Sequence, residues 1–370
     1  MRLTTDPKTR RSRVRNDRGM ALLVTLSVIT VLIAASLELN RKVRTSVVTT
    51  ATQRDRITLN GMAAGAVHAA MAMLAKDRKE TQVDSIQEDW ADPEKVAEVL
   101  ADLPFDKGKV TFTIADELGL VQANALVEFP RGRQFNESQK IMWDRFIRLI
   151  IASHDAFEEL EATEIVNSLK DWLDSGDDDA ITGLNGAESD YYESLETPYV
   201  CRNGPFPHIG ELAKVRGVTP ALFAGVEGMP GLGAYVTVHG VEKSDETVDK
   251  RSFAFPGKVN INTAPLPVLV ALIPSENPEY AQLIHDYREE KEEDTYLNDL
   301  SSPTWYTQVV GIPGDLKIDP KLITVTSDLF RIQAAAALND METVVTAVVH
   351  REKHKETNKW RCRVVSWQTG

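Results

Sequence analysis

Eighteen consecutive residues without a charge, from Met20 to Leu37, open the pattern of this 370-residue chain, and apolar positions continue at helical spacing well beyond them. Leu39, Val43, Val47, Ala51, Leu59, Met62, Ala63, Ala66, Val67, Ala70, Met73 and Leu74 recur in steps close to those of one helix face. Arg41, Lys42, Arg44, Arg54, Asp55 and Arg56 fall between them, and no proline occurs between Pro7 and Pro93. The spacing therefore predicts one nearly continuous helix over residues 20–75, apolar in its first third and amphipathic afterwards. That first third would reach about 27 Å, close to the ~30 Å of a hydrocarbon core.

Downstream the period changes. Residues 109–115 alternate as a half-buried strand does. Ile141, Phe146, Leu149 and Ile150 then mark one helix face, and Ile165, Val166, Leu169 and Trp172 another, with starts near 136–138 and 162–164. Helical segments continue over 209–215 and 220–226, strand-like runs return at 234–241 and 259–261, and further helices are predicted over 265–273 and 279–290. Residues 322–325, 330–337, 343–349 and 360–367 read as antiparallel strands joined by polar turns at Asn339-Asp340 and 354–358. The pattern implies an α+β fold in which a long N-terminal helix packs on an antiparallel sheet. A large helical, helix-hairpin-like domain is inserted into it. The expected division assigns residues 76–120 and 230–262 to the α/β part, 121–229 to the insertion, 263–320 to a second helical segment and 321–370 to the final strands.

Charge gives the chain a direction. The net charge is −13, yet the first nineteen residues carry Arg2, Lys8, Arg10, Arg11, Arg13, Arg15 and Arg18 against Asp6 and Asp17. That leader keeps the N-terminus in the cytoplasm and sends the rest outward. Three readings of the apolar run remain open: a plain anchor starting at Met1, a helix released from its leader, or a secretory signal cut near Ser36 or Leu37. The strongly acidic remainder repels phosphate backbones, so nucleic acid is not an expected partner. Residues 259–272, with Ala281, Ile284 and Arg288 downstream, have the outline of a helix-hairpin-helix module. Its turn at 273–280 has no glycine, however, and brings Glu276 and Glu279 where a phosphate would sit. No G-x-S-x-G, P-loop or H-E-x-x-H occurs, so no catalytic residue is assigned. Gly228, Gly231 and Gly233 lead into a strand and not a helix, against a dinucleotide site. His350 and His354 lack an evident third metal ligand. Cys201 and Cys362 fit either one disulfide or two buried thiols.

The densest chemistry lies at 171–192, where Asp171, Asp174, Asp177, Asp178, Asp179, Glu188 and Asp190 gather around Gly176, Gly183 and Gly186. So many carboxylates in one turn-rich loop need screening by water or by a cation. Aspartates, freed carbonyls and a glutamate suit calcium, which takes six to eight oxygens; a solvated acidic loop is the alternative. The segment is not an EF-hand, because Thr182 stands where its sixth-position glycine belongs.

Two features together resemble a known family. Gly19 between the basic leader and Met20-Ala21-Leu22-Leu23 resembles a type IV pilin-like leader, which a prepilin peptidase cuts between Gly19 and Met20. The fifth residue after Gly19 is Val24, where major pilins carry glutamate. The runs DWLDSGDDD and NGAESDYY, TPY at 197–199, IGELAKVRGVTPALF at 209–223 and VNINTAPLPVLVAL at 259–272 are similar to the K-type minor pseudopilin family (GspK) of the type II secretion system. The resemblance implies a pilin-like domain with a helical insertion, leader cleavage with methylation, and a single-pass place in the bacterial inner membrane with a periplasmic body. It also implies a position at the pseudopilus tip with I- and J-type minor pseudopilins, and contact with the inner-membrane secretion platform. Calcium is implied as a structural cofactor, with Asp174, Asp177 and Glu188 as leading ligands and Asp178, Asp179 and Asp190 as further ones. The competing reading is an inner-membrane-anchored periplasmic binding module or enzyme unrelated to filaments.

Overall fold

In the computed structural model, which describes residues 17–105, 107–129, 132–176, 181–243 and 253–370, the chain divides into units over residues 1–59 and 60–370. Helix α1 (Asp17–Glu80) runs further than residues 20–75 at both ends. Arg78 and Lys79 in its last turn complement the negative end of the helix dipole, which favours the extra turn. In the first unit every residue from 19 to 50 is exposed, Leu22, Leu23, Val31 and Leu37 among them.

In the second unit the remaining turns of α1 bury Met62, Ala63, Ala66, Val67, Ala70 and Leu74. Helix α2 (Pro93–Ala101) starts where Asp92 accepts from Glu94 N at 2.8 Å, with proline at the first helical position. Strand β1 (Lys109–Asp116) follows and forms one edge of the main sheet. The chain then builds β2 (Val121–Gln122), α3 (Glu137–Ala152), α4 (Ala162–Leu173), α5 (Ser189–Glu193) and α6 (Pro220–Ala224). After these come β3 (Val236–Thr237), β4 (Val259–Asn260), α7 (Leu266–Leu272), α8 (Glu279–Glu289) and β5 (Ile323–Thr324). It returns to the sheet with β6 (Leu329–Leu338), β7 (Met341–Lys353) and β8 (Trp360–Thr369), in the antiparallel order β1-β6-β7-β8. Phe330, Ile332, Ala334 and Ala336 of β6 and Val345, Ala347 and Val349 of β7 supply its buried face. Alanines are interspersed among larger side chains on both this face and the lower part of α1, which lets helix and sheet approach closely at those positions. Cys362 of β8 donates to Met71 O at 3.5 Å, and Arg351 of β7 donates to Leu74 O at 3.3 Å, so α1 lies across those strands.

The junction of helix, sheet and insertion is polar and buried. Arg351, 1% exposed, donates to Asp77 Oδ2 at 2.9 Å, to Ser327 O at 2.8 Å and to Asp84 Oδ1. Asp84, fully buried, also accepts from Ser327 N at 2.8 Å, and its own N–H donates to Val325 O at 2.9 Å. Its carbonyl accepts from Asn260 at 2.9 Å and Asn262 at 3.3 Å. Asn260 reaches onward to Asp116 at 2.7 Å, and Trp305 donates to Asn262 at 2.7 Å. One short turn after α1 is thereby tied to β1, β4 and β7. Truncating one partner of such a buried ion pair typically costs about 3–5 kcal/mol.

The insertion forms one core and not two. Trp143, Phe146 and Ile147 of α3, Ile165, Leu169 and Trp172 of α4, and Val268, Leu269 and Leu272 of α7 share it with Ile284 and Trp305. Asn136 caps α3, accepting from Gln139 N at 3.4 Å, within the start expected at 136–138. The described residues of 230–262 contribute no strand to the main sheet, against their expected place in the α/β part: β3 pairs with β2, and Val236 and Val259 enter the helical core. The strand expected at 234–241 shrinks to two residues because 232–234 form a 3-10 turn. Residues 322–325 are not antiparallel either; β5 pairs in parallel with β4. The run is apolar enough for a strand, but its partner lies beyond two helices, a parallel crossover that local pattern cannot reveal. Cys201 and Cys362 are unbridged thiols. Arg288, which a helix-hairpin-helix module would aim at phosphate, is 3% exposed and donates to Ile261 O and Ala264 O at 3.1 and 2.8 Å. His354 Nδ1 accepts from Thr357 N at 3.3 Å in the β7–β8 turn.

Burial dominates the acids around α1's end. Desolvation pushes Glu88 up to about 7 and Asp77 up to about 6, despite Trp90 donating to Glu88 and Arg351 to Asp77. A raised value in the folded state means that the stability tied to these protons is complete below the ordinary carboxylate range and is lost as pH climbs through 6–7. Melting curves from pH 4 to 8 should therefore show Glu88→Gln gaining on the wild type across that window. A constant difference between the two proteins would mean that Glu88 titrates as it does in water.

Candidate metal centre

Helix α4 turns its apolar side, Ile165, Val166, Leu169, Trp172 and Leu173, into the core. The residues between those anchors are thereby fixed at the helix end. Asp171 and Asp174, three apart, come onto one side, and Lys170, four before Asp174, lies beside them. Asp174 closes the helix, its N–H donating to Lys170 O at 2.8 Å, and its carboxylate accepts from Gly176 N at 3.1 Å. Asp171 accepts from Thr182 N at 3.2 and 3.1 Å, which folds the loop back over the helix end. Gly186 sits against that fold: a Cβ there would meet the Asp171 carboxylate and the Thr182 backbone. The next turn brings Glu188 to the start of α5, where its carbonyl accepts from Tyr191 N at 3.0 Å.

One carboxylate oxygen each from Asp171, Asp174 and Glu188 comes within 4.8 Å of the others. The three residues are only 0%, 3% and 7% exposed. Lys170 Nζ contacts Asp174 Oδ2 and lies 3.7 Å from Asp171 Oδ1. Burial raises the Asp171 carboxyl above its ordinary range, against the Thr182 bonds and Lys170, which lower it. The floor of the site is apolar: Trp172 meets Tyr192 edge-on at 5.0 Å and stacks parallel to Phe206 at 6.3 Å. Cys201 donates to Asp171 O at 3.4 Å, pinning the backbone beneath the acids.

Of the expected ligands, the fold brings together Asp174 and Glu188. Asp177, Asp178 and Asp179 lie outside the described residues. Asp190 is exposed on α5 and does not join the group, because the helix carries it to the solvent side while Ser189 and Tyr192 face inward. Asp171 belongs to the group but was absent from the expected ligand set. Its signal was the D-W-L-D spacing, which forces both aspartates to one side whenever Trp172 and Leu173 are core residues.

Calcium, which the resemblance implies, fits these donors. Three convergent buried carboxylates are oxygen ligands of the right kind, at the negative end of a helix dipole, in a loop whose glycine leaves room for a carboxylate. A second acidic group, Asp77, Asp84 and Glu88, has a comparable separation, but the Arg351 guanidinium between its first two members is 1% exposed and fixed by further bonds to Ser327 O and Leu74 O, so that cation is a permanent part of the core.

Residues 120–229, which contain this site, match the family model described as type II secretion system (T2SS), protein K. The chain is 27% identical over 215 residues to type II secretion system protein K of Aeromonas hydrophila, an alignment covering 57% of this chain and 62% of that protein. It is 26% identical over 208 residues to the protein of the same name from Klebsiella pneumoniae, covering 56% and 60%. The match thus spans less than two thirds of the length of these relatives. A chain in the crystal structure of the GspK-GspI-GspJ complex from enterotoxigenic Escherichia coli shares the fold, with a TM-score of 0.59 at 18% identity over 87% of this chain and 99% of that one.

Saturating calcium is expected to raise the melting temperature of the full chain by about 3–5 °C, the size of effect that a ligand at a hundredfold excess over its Kd produces. Asp174→Ala with Glu188→Ala should abolish the increment, and EDTA should reverse it in the wild type. Differential scanning calorimetry with and without chelator is the check; identical traces would exclude a structural ion.

Proposed function

We propose that this chain, a member of the type II secretion system protein K family by its matched domain, is a minor pseudopilin at the tip of the periplasmic pseudopilus. The observation that carries the proposal is the exposed apolar first third of α1, whose most apolar stretch of eighteen residues has no buried position. Burying a single Val, Leu or Ile side chain is worth about 1.5–3 kcal/mol, so a stretch of this kind does not stay in water. Lipid covers it first, with the basic leader on the cytoplasmic side of the inner membrane and residues 60–370 in the periplasm.

Cleavage between Gly19 and Met20 by a prepilin peptidase leaves that stretch intact. It removes the basic cluster that would oppose movement of the helix out of the membrane. Neighbouring pseudopilin helices then replace lipid. Val24, 58% exposed, offers no carboxylate to the N-terminus of a subunit ahead, which suits a subunit with nothing above it. The insertion between β1 and β6 adds bulk that obstructs further stacking. Contact with the secretion platform and with I- and J-type minor pseudopilins follows from this place in the filament, and no catalytic step is required of it. When bound, calcium would neutralise the acids at the end of α4. Asp171, Asp174 and Glu188 would hold it, which ties the loop at 174–188 to the insertion's core.

Full-length chain expressed in cells together with I- and J-type pseudopilins and the peptidase should begin at Met20 and be captured from solubilised membranes with both partners. A chain that retains Met1, or one starting near Ser36, recovered without those partners would return the anchored-module reading.

A further inference from the structure

We propose that Lys170 is a built-in competitor of the divalent cation: its ammonium occupies the approach to the Asp171, Asp174 and Glu188 carboxylates and must withdraw before an ion is bound. The inference rests on the calcium reading above and adds what sets the affinity.

Lys170 is held to the site by its own helix. The four-residue spacing from Asp174 places Nζ on Asp174 Oδ2, and the same ammonium stands 3.7 Å from Asp171 Oδ1. Its side chain is 14% exposed, so the pair is only weakly screened by water. A calcium ion held by Asp171 and Asp174 would meet the ammonium that already stands against both carboxylates, and two cations at one buried pair of acids repel strongly. The lysine therefore leaves when the ion enters. The Phe135 ring, 6.0 Å from Nζ, already carries Lys140 at 4.5 Å, so the displaced ammonium turns to solvent.

Two consequences follow. The ion-free loop keeps a counter-charge and stays folded, and calcium affinity is lower than the three carboxylates alone would give, because binding must break an ion pair.

Isothermal titration calorimetry with calcium chloride on the full chain in detergent, together with the melting temperature of the ion-free protein, is the test. Lys170→Met keeps the aliphatic stem and removes the charge; it should bind calcium about tenfold more tightly and melt lower without calcium. Lys170→Arg keeps the charge and should stay within about threefold of wild type. Calcium binding by Lys170→Met where wild type binds none also supports the proposal. Equal or weaker binding by Lys170→Met, with wild type binding, overturns the lysine's role and leaves the calcium reading standing. Failure of all three proteins to bind overturns both.

Discussion

The first unit is organised around an apolar helical surface that is exposed among its described residues. Residues 19–50 of α1 are exposed throughout, and the part before Glu38 carries no charge from Met20 onward. Water is the one environment such a stretch cannot occupy at acceptable cost, since each large side chain left wet forgoes about 1.5–3 kcal/mol. Lipid and other apolar helices are the available covers, and both suit a helix whose backbone hydrogen bonds are satisfied internally. The basic leader, the glycine before the apolar run and the bulk of residues 60–370 make sense as parts of one arrangement in which the first cover is exchanged for the second.

The same helix solves the opposite problem at its other end. Where α1 enters the second unit, Ala63, Ala66 and Ala70 alternate with Met62, Val67 and Leu74 on its buried face, against a sheet face that includes Ala334, Ala336 and Ala347. Packing of small residues is close but buries little area, and a polar junction adds to it: Arg351 clamps Asp77 and Asp84, and the Asp84 carbonyl takes Asn260 and Asn262. A charged network in a dry interior contributes more to a unique geometry than to net stability. Here it joins the end of a helix, a sheet and an insertion whose chain segments are otherwise far apart.

Much of this was legible in the chain. The length of α1, the alternation of β1 and the hairpins of β6 to β8 follow from local periodicity, because each depends on residues a few positions apart. What local pattern missed depends on distant pairing. The β4–β5 ribbon joins residues more than sixty apart in parallel, and residues 230–262 left the sheet for a core assembled from α3, α4 and α7. The site divides in the same way. Acid content announced the loop, and the resemblance singled out Asp174 and Glu188, whose carboxylates the fold brings together. Asp171 joins them for a reason that local pattern does not show, because its place depends on which side of α4 the core takes. Asp190 lies apart from them, carried to solvent by a one-turn helix. Lys170 has no compositional signal at all, and its place emerges only when the helix and the loop are folded together.

The central claim, that the apolar first third of α1 trades lipid for protein, is tested most directly by a photoreactive residue at Ile29 of the full chain in cells carrying the secretion system. The account predicts crosslinks to other pseudopilin subunits when those subunits are present, and adducts to phospholipid alone when they are deleted. Lipid adducts alone in both conditions would contradict it.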